Sequence, residues 1–231
     1  MPPIAHPYLF EDRCHAGREL AEALKHLAVE EPLVLALPRG GVPVAYEIAA
    51  ALEARLDIAL VRKIGAPHNE EMALGAVIDG ADPQWVVNSE LVRQLSLPSG
   101  WFEEEKARQL LELERRRKCY CGDREPPRVV GRCVILVDDG VATGASMRAV
   151  LKGLHKAGAA RLVTAVPVGA RDAIAALRDE VDEMVCLAMP EPFIGVGCHY
   201  RDFSQTPDDE VVRLLERAAA SGSRQSSRHA G

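Results

Sequence analysis

Aromatic side chains are scarce: two Trp, four Tyr and four Phe make up 4% of the 231 residues. That is thin material for a platform that stacks the bases of single-stranded nucleic acid. Positive charge is short as well. Against 28 Lys and Arg stand 34 Asp and Glu, and the net charge of −6 leaves no global field to gather nucleic acid. No apolar run approaches the ~20 residues of a bilayer span. Runs such as Leu33 to Pro38 and Cys133 to Val137 have the length of strands. The start, Met1-Pro2-Pro3-Ile4-Ala5-His6-Pro7, carries neither the basic nor the apolar region of a secretory signal, so a cytoplasmic protein without a membrane partner is expected. Six scattered cysteines, Cys14, Cys119, Cys121, Cys133, Cys186 and Cys198, read as reduced thiols rather than staples. A metal site on Cys119-Tyr120-Cys121 would need a second pair at zinc-finger spacing, and the sequence has none.

What the chain does have is aliphatic bulk, 48% hydrophobic residues, enough for one large domain with a full core. Ala16 to Ala28 places Leu20, Ala23, Leu24 and Leu27 on one helical face. Leu33-Val34-Leu35-Ala36-Leu37 has no alternation, as expected of a parallel strand covered on both faces, and it stops at Pro38-Arg39-Gly40-Gly41. Pro43 suits the first turn of a helix running to Ala54. Asp57 to Val61 reads as a second buried strand closed by Arg62-Lys63, followed by a loose segment, Gly65 to Glu71. Ala76-Val77-Ile78 and Trp85-Val86-Val87, joined by Asp79 to Pro83, form a hairpin-like insertion.

Ser99 to Lys118 is the longest helical stretch, with Glu103 to Glu105 at its start and Arg115 to Lys118 at its end, an order that complements the helix dipole on a solvated surface. Cys133 to Val137 is a third buried strand, followed by Asp138 to Gly144 and a helix to Ala157 with Met147, Val150, Leu151 and Leu154 on one face. Arg161 to Val166 and Glu183 to Leu187 add two strands around a helix from Arg171 to Arg178. Thr206 and Pro207 open a last helix, and from Ser221 the composition turns to that of a disordered tail, 221–231. Alternation of strand and helix predicts an α/β fold: one domain, 1–220, with a parallel sheet flanked by helices on both faces.

Ligands of such sheets bind beyond the carboxyl ends of the strands, where strand order reverses. Pro38 to Gly41, Arg62-Lys63 and Asp138 to Ser146 are expected to arrive there together. Gly140 to Gly144 can turn its backbone N–H groups toward a phosphate at the N-terminus of the following helix, with hydroxyls from Thr143 and Ser146. Two carboxylates beside a phosphate would repel it unless they face hydrogen-bond donors, and the vicinal hydroxyls of a ribose are such donors. The combination points to a sugar phosphate.

Val134-Ile135-Leu136-Val137-Asp138-Asp139-Gly140-Val141-Ala142-Thr143-Gly144-Ala145-Ser146 resembles the signature of the type I phosphoribosyltransferases, which bind 5-phosphoribosyl 1-pyrophosphate (PRPP). The resemblance extends from about Phe10 to the last helix. It implies that Asp138 and Asp139 hold the ribose hydroxyls, and a Mg²⁺ indirectly through them or through water. It further implies that Gly140, Val141, Ala142, Thr143, Gly144, Ala145 and Ser146 hold the 5′-phosphate. Pro38-Arg39-Gly40-Gly41 is similar to the family's pyrophosphate loop, with positive charge from Arg39, Arg62 and Lys63. Gly65 to Glu71 stands in the place of the mobile loop, and its closure around Glu70 and Glu71 would keep water from the reacting centre. The stretch at 190–205 stands in the place of the hood that grips the base, with Phe193 and Tyr200 as candidate contacts.

The implied activity is transfer of the phosphoribosyl group to a nitrogenous base, by a homodimer, with catalytic roles for Arg39, Lys63, Glu71, Asp138 and Asp139. Several assignments keep a plainer alternative. Arg39 on its turn is either a pyrophosphate ligand or a surface residue, and Arg62-Lys63 either join it or simply end a strand. Phe193, Tyr200 and Phe203 are base stackers, core or dimer contacts, while His68 and His199 suit structural or surface roles. Members acting on 6-oxopurines hold a carboxylate in the phosphate loop where this chain has Ala142, which argues against that substrate class or moves the proton work to Glu70, Glu71 or solvent. The alternative function is a non-catalytic PRPP sensor. A nucleotide-cofactor dehydrogenase lacks support, because no Gly-x-Gly-x-x-Gly follows the first strand.

Overall fold

The computed structural model describes residues 8–67, 69–95 and 97–226. Its centre is a parallel sheet built from the aliphatic runs: β1 (Leu33–Ala36), β2 (Arg55–Ile58), β6 (Cys133–Val137), β7 (Arg161–Val168) and β8 (Glu183–Ala188). The strands lie in the order β2-β1-β6-β7-β8, with Leu35 opposite Asp57 on one side and Leu136 on the other. β1 and β6 are buried along their whole length, which is why they read as unbroken apolar runs. One face of the sheet is covered by α1 (Arg13–Ala23), α2 (Gly41–Ala51) and α7 (Asp208–Ser226), and the other by α5 (Ala145–Lys156) and α6 (Arg171–Arg178). The expected three-layer α/β fold is present. Met147, Val150, Leu151 and Leu154 of α5 are all buried, as their spacing requires.

The insertion is larger than a hairpin. β3 (Val61–Ala66), β4 (Asn69–Ile78) and β5 (Gln84–Val87) form a separate antiparallel sheet, next to α4 (Trp101–Cys121) and α5. A short helix, α3 (Ser89–Gln94), lies between β5 and α4.

The structure departs from four expectations. The apolar run from Asp57 to Val61 is not one strand: β2 ends at Ile58 and β3 of the other sheet starts at Val61, so Arg62 and Lys63 do not end a strand of the parallel sheet. Gly65 to Glu71 is not a loose segment, because it contains the end of β3 and the start of β4, with irregular register around Gly65. The helix expected to start near Ala16 begins at Arg13 and stops at Ala23, where a 3-10 helix, Lys25–Glu30, takes over. The last helix continues to Ser226, so Ser221 to Ser226 is helical, while 227–231 lie outside the described residues.

The basic end of α4 is not uniformly solvated either. Arg117 is buried and fastens the insertion to the parallel sheet, donating through Nη2 to Asp57 Oδ1 at 2.6 Å and through Nη1 to Asp79 Oδ2 at 2.7 Å. Burial alone would lower the Arg117 pKa, but Asp57 and Asp79 outweigh it and the net shift is upward. At Asp79 burial wins over the arginine and pushes the carboxyl up to about 6.

Candidate active site

Strand order reverses between β1 and β6, and the turns that leave these two strands pack against each other. The close approach explains two glycines. A Cβ on Gly41 would sit 2.8 Å from the Val137 carbonyl oxygen, and one on Gly40 would sit 2.0 Å from Asp139 Oδ2. The pair Gly40-Gly41 therefore makes room for the acidic turn. Gly140 likewise lies where a side chain would strike Val196, at 2.4 Å, in the stretch expected to form the hood.

The two aspartates are not equivalent. Asp138 accepts the Asp139 backbone N–H through Oδ1 at 2.9 Å, and among the described residues no cation pairs with it. Asp139 accepts from Arg13 Nε at 2.8 Å, and its carbonyl oxygen accepts from the Tyr200 hydroxyl at 2.6 Å. Burial lifts both carboxyls above the ordinary range; the neighbouring Asp139 charge adds to the rise at Asp138, and Arg13 opposes it at Asp139.

Beyond the acids the chain forms an open cradle. Val141 is pinned by backbone bonds, its N–H to Val168 O at 2.9 Å and its carbonyl to Ala170 N at 2.8 Å. Gly144 then takes φ 72°, in the left-handed region that favours glycine, and α5 starts with no side chain capping its first turn. Ala142, Thr143, Ala145 and Ser146 are exposed around those N–H groups. Open amides and the positive end of the helix dipole together suit an anion.

The remaining candidates divide. Arg39 borders the same crevice, partly buried, with Nη1 3.5 Å from Asp208 Oδ1. Arg62 is drawn elsewhere: its Nε donates to Gln109 Oε1 at 2.6 Å and Nη1 lies 3.8 Å from Glu112, so it braces β3 against α4. Lys63 is exposed on β3. The backbone of Glu70 and Glu71 belongs to β4, but their side chains and all of His68 lie outside the described residues. Tyr200 is not available to stack on a base. It is 1% exposed, in a small cluster with Phe10, Ala16 and Val168, its ring 5.4 Å from Phe10 and 5.0 Å from Phe203. Phe193 is half-buried beside His199, ring centroids 5.5 Å apart, in the stretch expected to form the hood.

A cavity of about 1310 Å³ lies apart from all of this, between α4, the 122–130 loop, the β4–β5 turn and α5, with Asp79 and Arg117 in its wall and none of 38–41 or 138–146. Cys121 is buried and its thiol is pushed up to about 11, chiefly by burial. Among the described residues no group of three His, Cys, Asp or Glu side chains is placed to hold a metal ion, and no helix is long and apolar enough to cross a membrane.

Sequence reasoning missed Arg13, which reaches Asp139 across 126 positions, and Asp208, which accepts from Tyr120 Oη at 2.7 Å while facing Arg39. Local pattern carries no signal for either pair. The expectation of a cap at the start of α1 would have drawn attention to Asp12, whose Oδ1 accepts His15 N at 2.7 Å, and so to its neighbour Arg13.

A doubly wound sheet with an acidic turn and an open, uncapped helix N-terminus at its switch point defines a class, and residues 14–201 match the profile of the phosphoribosyl transferase domain. The chain belongs to that family. Among its relatives are proteins from two strains of Mycobacterium tuberculosis, provisionally named phosphoribosyl transferase, 45% identical over 210 residues that make up 91% of this chain and 47% of theirs. The chain thus spans about half the length of these curated relatives. The crystal structure of TT1426 from Thermus thermophilus superposes with a TM-score of 0.78 at 45% identity, covering 90% of this chain and 98% of that one.

Proposed function

We propose that the chain moves the 5-phosphoribosyl group between PRPP and a nitrogenous base, with pyrophosphate as the leaving group. The observation that carries the reading is the pairing of an uncapped, exposed helix N-terminus with the Asp138 carboxyl, which no cation pairs among the described residues, on one turn at the switch point. In this reading Gly140 to Ser146 hold the 5′-phosphate and Asp138 accepts from the ribose hydroxyls. Asp139, held by Arg13, supports the turn. Arg39, with the turn Gly40-Gly41 and Lys63, receives the pyrophosphate. Phe193 borders the base, and Glu71 belongs to the segment that closes over the centre. Arg62 drops out of the ligand set because Gln109 and Glu112 hold it.

Transfer breaks the bond from the anomeric carbon to pyrophosphate, which leaves with the electron pair, and forms a bond from that carbon to a base nitrogen. The base gives its proton to solvent or to a carboxylate of the closing segment. The sugar is electron-poor midway, so water exclusion and fixed charges at the leaving group are the demands on the protein. A Mg²⁺ would neutralise the pyrophosphate. Asp138 alone cannot make a complete metal site, but one carboxylate plus phosphate oxygens and water is a donor set that Mg²⁺ accepts, so the residues fit an ion that arrives with the substrate. A cytoplasmic homodimer completes the reading on the family likeness, and size-exclusion chromatography tests the assembly.

Titration calorimetry with PRPP and Mg²⁺ is expected to show saturable binding that Asp138→Asn weakens by about tenfold or more, the scale of one hydrogen bond to a charged group. Pyrophosphate release is then measured across adenine, guanine, hypoxanthine, uracil and orotate. Absence of saturable PRPP binding would defeat the reading. Binding without release on any base would replace the transferase by a PRPP sensor.

A further inference from the structure

Arginine carries a planar fork of donors that can serve several acceptors at once, where lysine is a point charge on a flexible stem. Arg13 uses that fork across three segments. From the first residue of α1 its Nε donates to Asp139 Oδ2 at 2.8 Å, its Nη1 donates to the Ser204 carbonyl at 2.7 Å, and its guanidinium lies over the Phe203 ring, 3.9 Å from the centroid. The side chains of Arg13 and Asp139 are 11% and 14% exposed, so their ion pair is largely shielded from water, while the bond to Ser204 lies at the exposed rim. The chain around it is tied in the same sense. Arg201 N donates to Phe10 O and Asp202 N to Glu11 O, both at 2.9 Å, which lashes the end of the hood to the residues just before α1. Tyr200, in that same stretch, holds the Asp139 carbonyl. Arg13, Phe203 and Ser204 flank the 14–201 segment that matches the family profile and lie outside it.

We infer that Arg13 is a positioning residue that joins the acidic turn to the hood, so that the turn presenting Asp138 to the ribose and the segment facing the base are set by one side chain. The inference rests on the phosphoribosyl-transfer reading and adds a residue and a coupling to it. Without the fork, Asp139 loses its cation and the hood loses its anchor on the sugar side. A lysine at 13 keeps a cation at Asp139 but cannot also reach Ser204 and cover Phe203. The two halves of the role are therefore separable.

The test compares the full chain with Arg13→Ala, Arg13→Lys and Phe203→Leu, each first checked by thermal melting. PRPP binding with Mg²⁺ is read by calorimetry, and the KM and kcat for whichever of the five bases above releases most pyrophosphate are read by coupled assay. Arg13→Ala is expected to weaken PRPP about tenfold or more, one charged hydrogen bond, and to raise the base KM. Arg13→Lys is expected to recover PRPP binding while the base KM stays high. Phe203→Leu, with the ion pair intact, is expected to raise the base KM and leave PRPP binding alone. Arg13→Lys indistinguishable from the wild type in base KM overturns the inference, and this comparison stands even if the alanine variant fails to fold. Tighter PRPP binding by Arg13→Ala also overturns it, since Arg13 would then obstruct the site. A wild type that binds no PRPP defeats the transfer reading itself and takes this inference with it, whereas PRPP binding that none of the three variants alters defeats only the inference.

Discussion

A methyl group on Gly41 would meet the Val137 carbonyl oxygen at 2.8 Å and the Asp138 Cα at 3.0 Å, and both are backbone atoms of the neighbouring strand and turn. Neither can swing aside as a side chain could. Gly41→Ala is therefore expected to cost about 1–3 kcal/mol, the usual penalty of overpacking, and to displace Asp138. The check is a lowered melting temperature together with loss of PRPP binding in calorimetry. Gly40 differs in kind, because a Cβ there meets the end of the Asp139 side chain, 2.0 Å away. Its glycine protects a carboxylate rather than a strand.

At the scale of elements, one arginine decides how the insertion sits. Arg117 links α4 to Asp57 on β2 and to Asp79 just past β4, so the antiparallel sheet and the parallel sheet share one buried ion cluster. Arg117→Met would strand two buried carboxylates, and a loss of about 3–5 kcal/mol in urea unfolding is expected. The pH dependence follows from Asp79, raised from 3.8 to about 6 by burial against the pull of Arg117. Because the native state keeps this proton longer than the unfolded chain, its contribution to stability declines as pH rises from 3.8 to about 6 and is constant outside that window. The decline is worth about 3 kcal/mol at ~1.4 kcal/mol for each tenfold change in proton affinity. Asp79→Asn is expected to flatten that segment of the stability–pH curve relative to the wild type, measured by urea midpoints across it.

For the molecule as a whole, the last helix closes the core. Val211, Leu214 and Leu215 of α7 are buried with α2 and β2, and Arg124 holds the Leu215 carbonyl at 3.2 Å. Exposing three aliphatic side chains at about 1.5–3 kcal/mol each would use up much of the ~5–15 kcal/mol that keeps a domain folded. A chain truncated after Pro207 is expected to lose cooperative thermal unfolding by circular dichroism. Asp208, at the head of the same helix, stands beside Arg39 and accepts from Tyr120, so the helix that completes the core also borders the candidate site.

The sequence by itself determined the parallel sheet and the turn that carries the candidate site. β6 and α6 have the boundaries read from composition, and β1 differs by one residue, because unbroken aliphatic runs ending at charged or glycine-rich turns have few other ways to be buried. The acidic turn and the glycine loop were legible for the same reason: their residues are consecutive. Tertiary structure alone decided the rest. The bend between Ile58 and Val61 divides one hydrophobic run between two sheets, and hydropathy carries no record of direction. Tyr200 became a buried support for Asp139, and Arg62 a brace on α4, through partners 61 and 47 positions away. Arg13 found Asp139 across 126 positions. Periodicity reports which face of an element is covered, while the identity of what covers it depends on how distant segments pack.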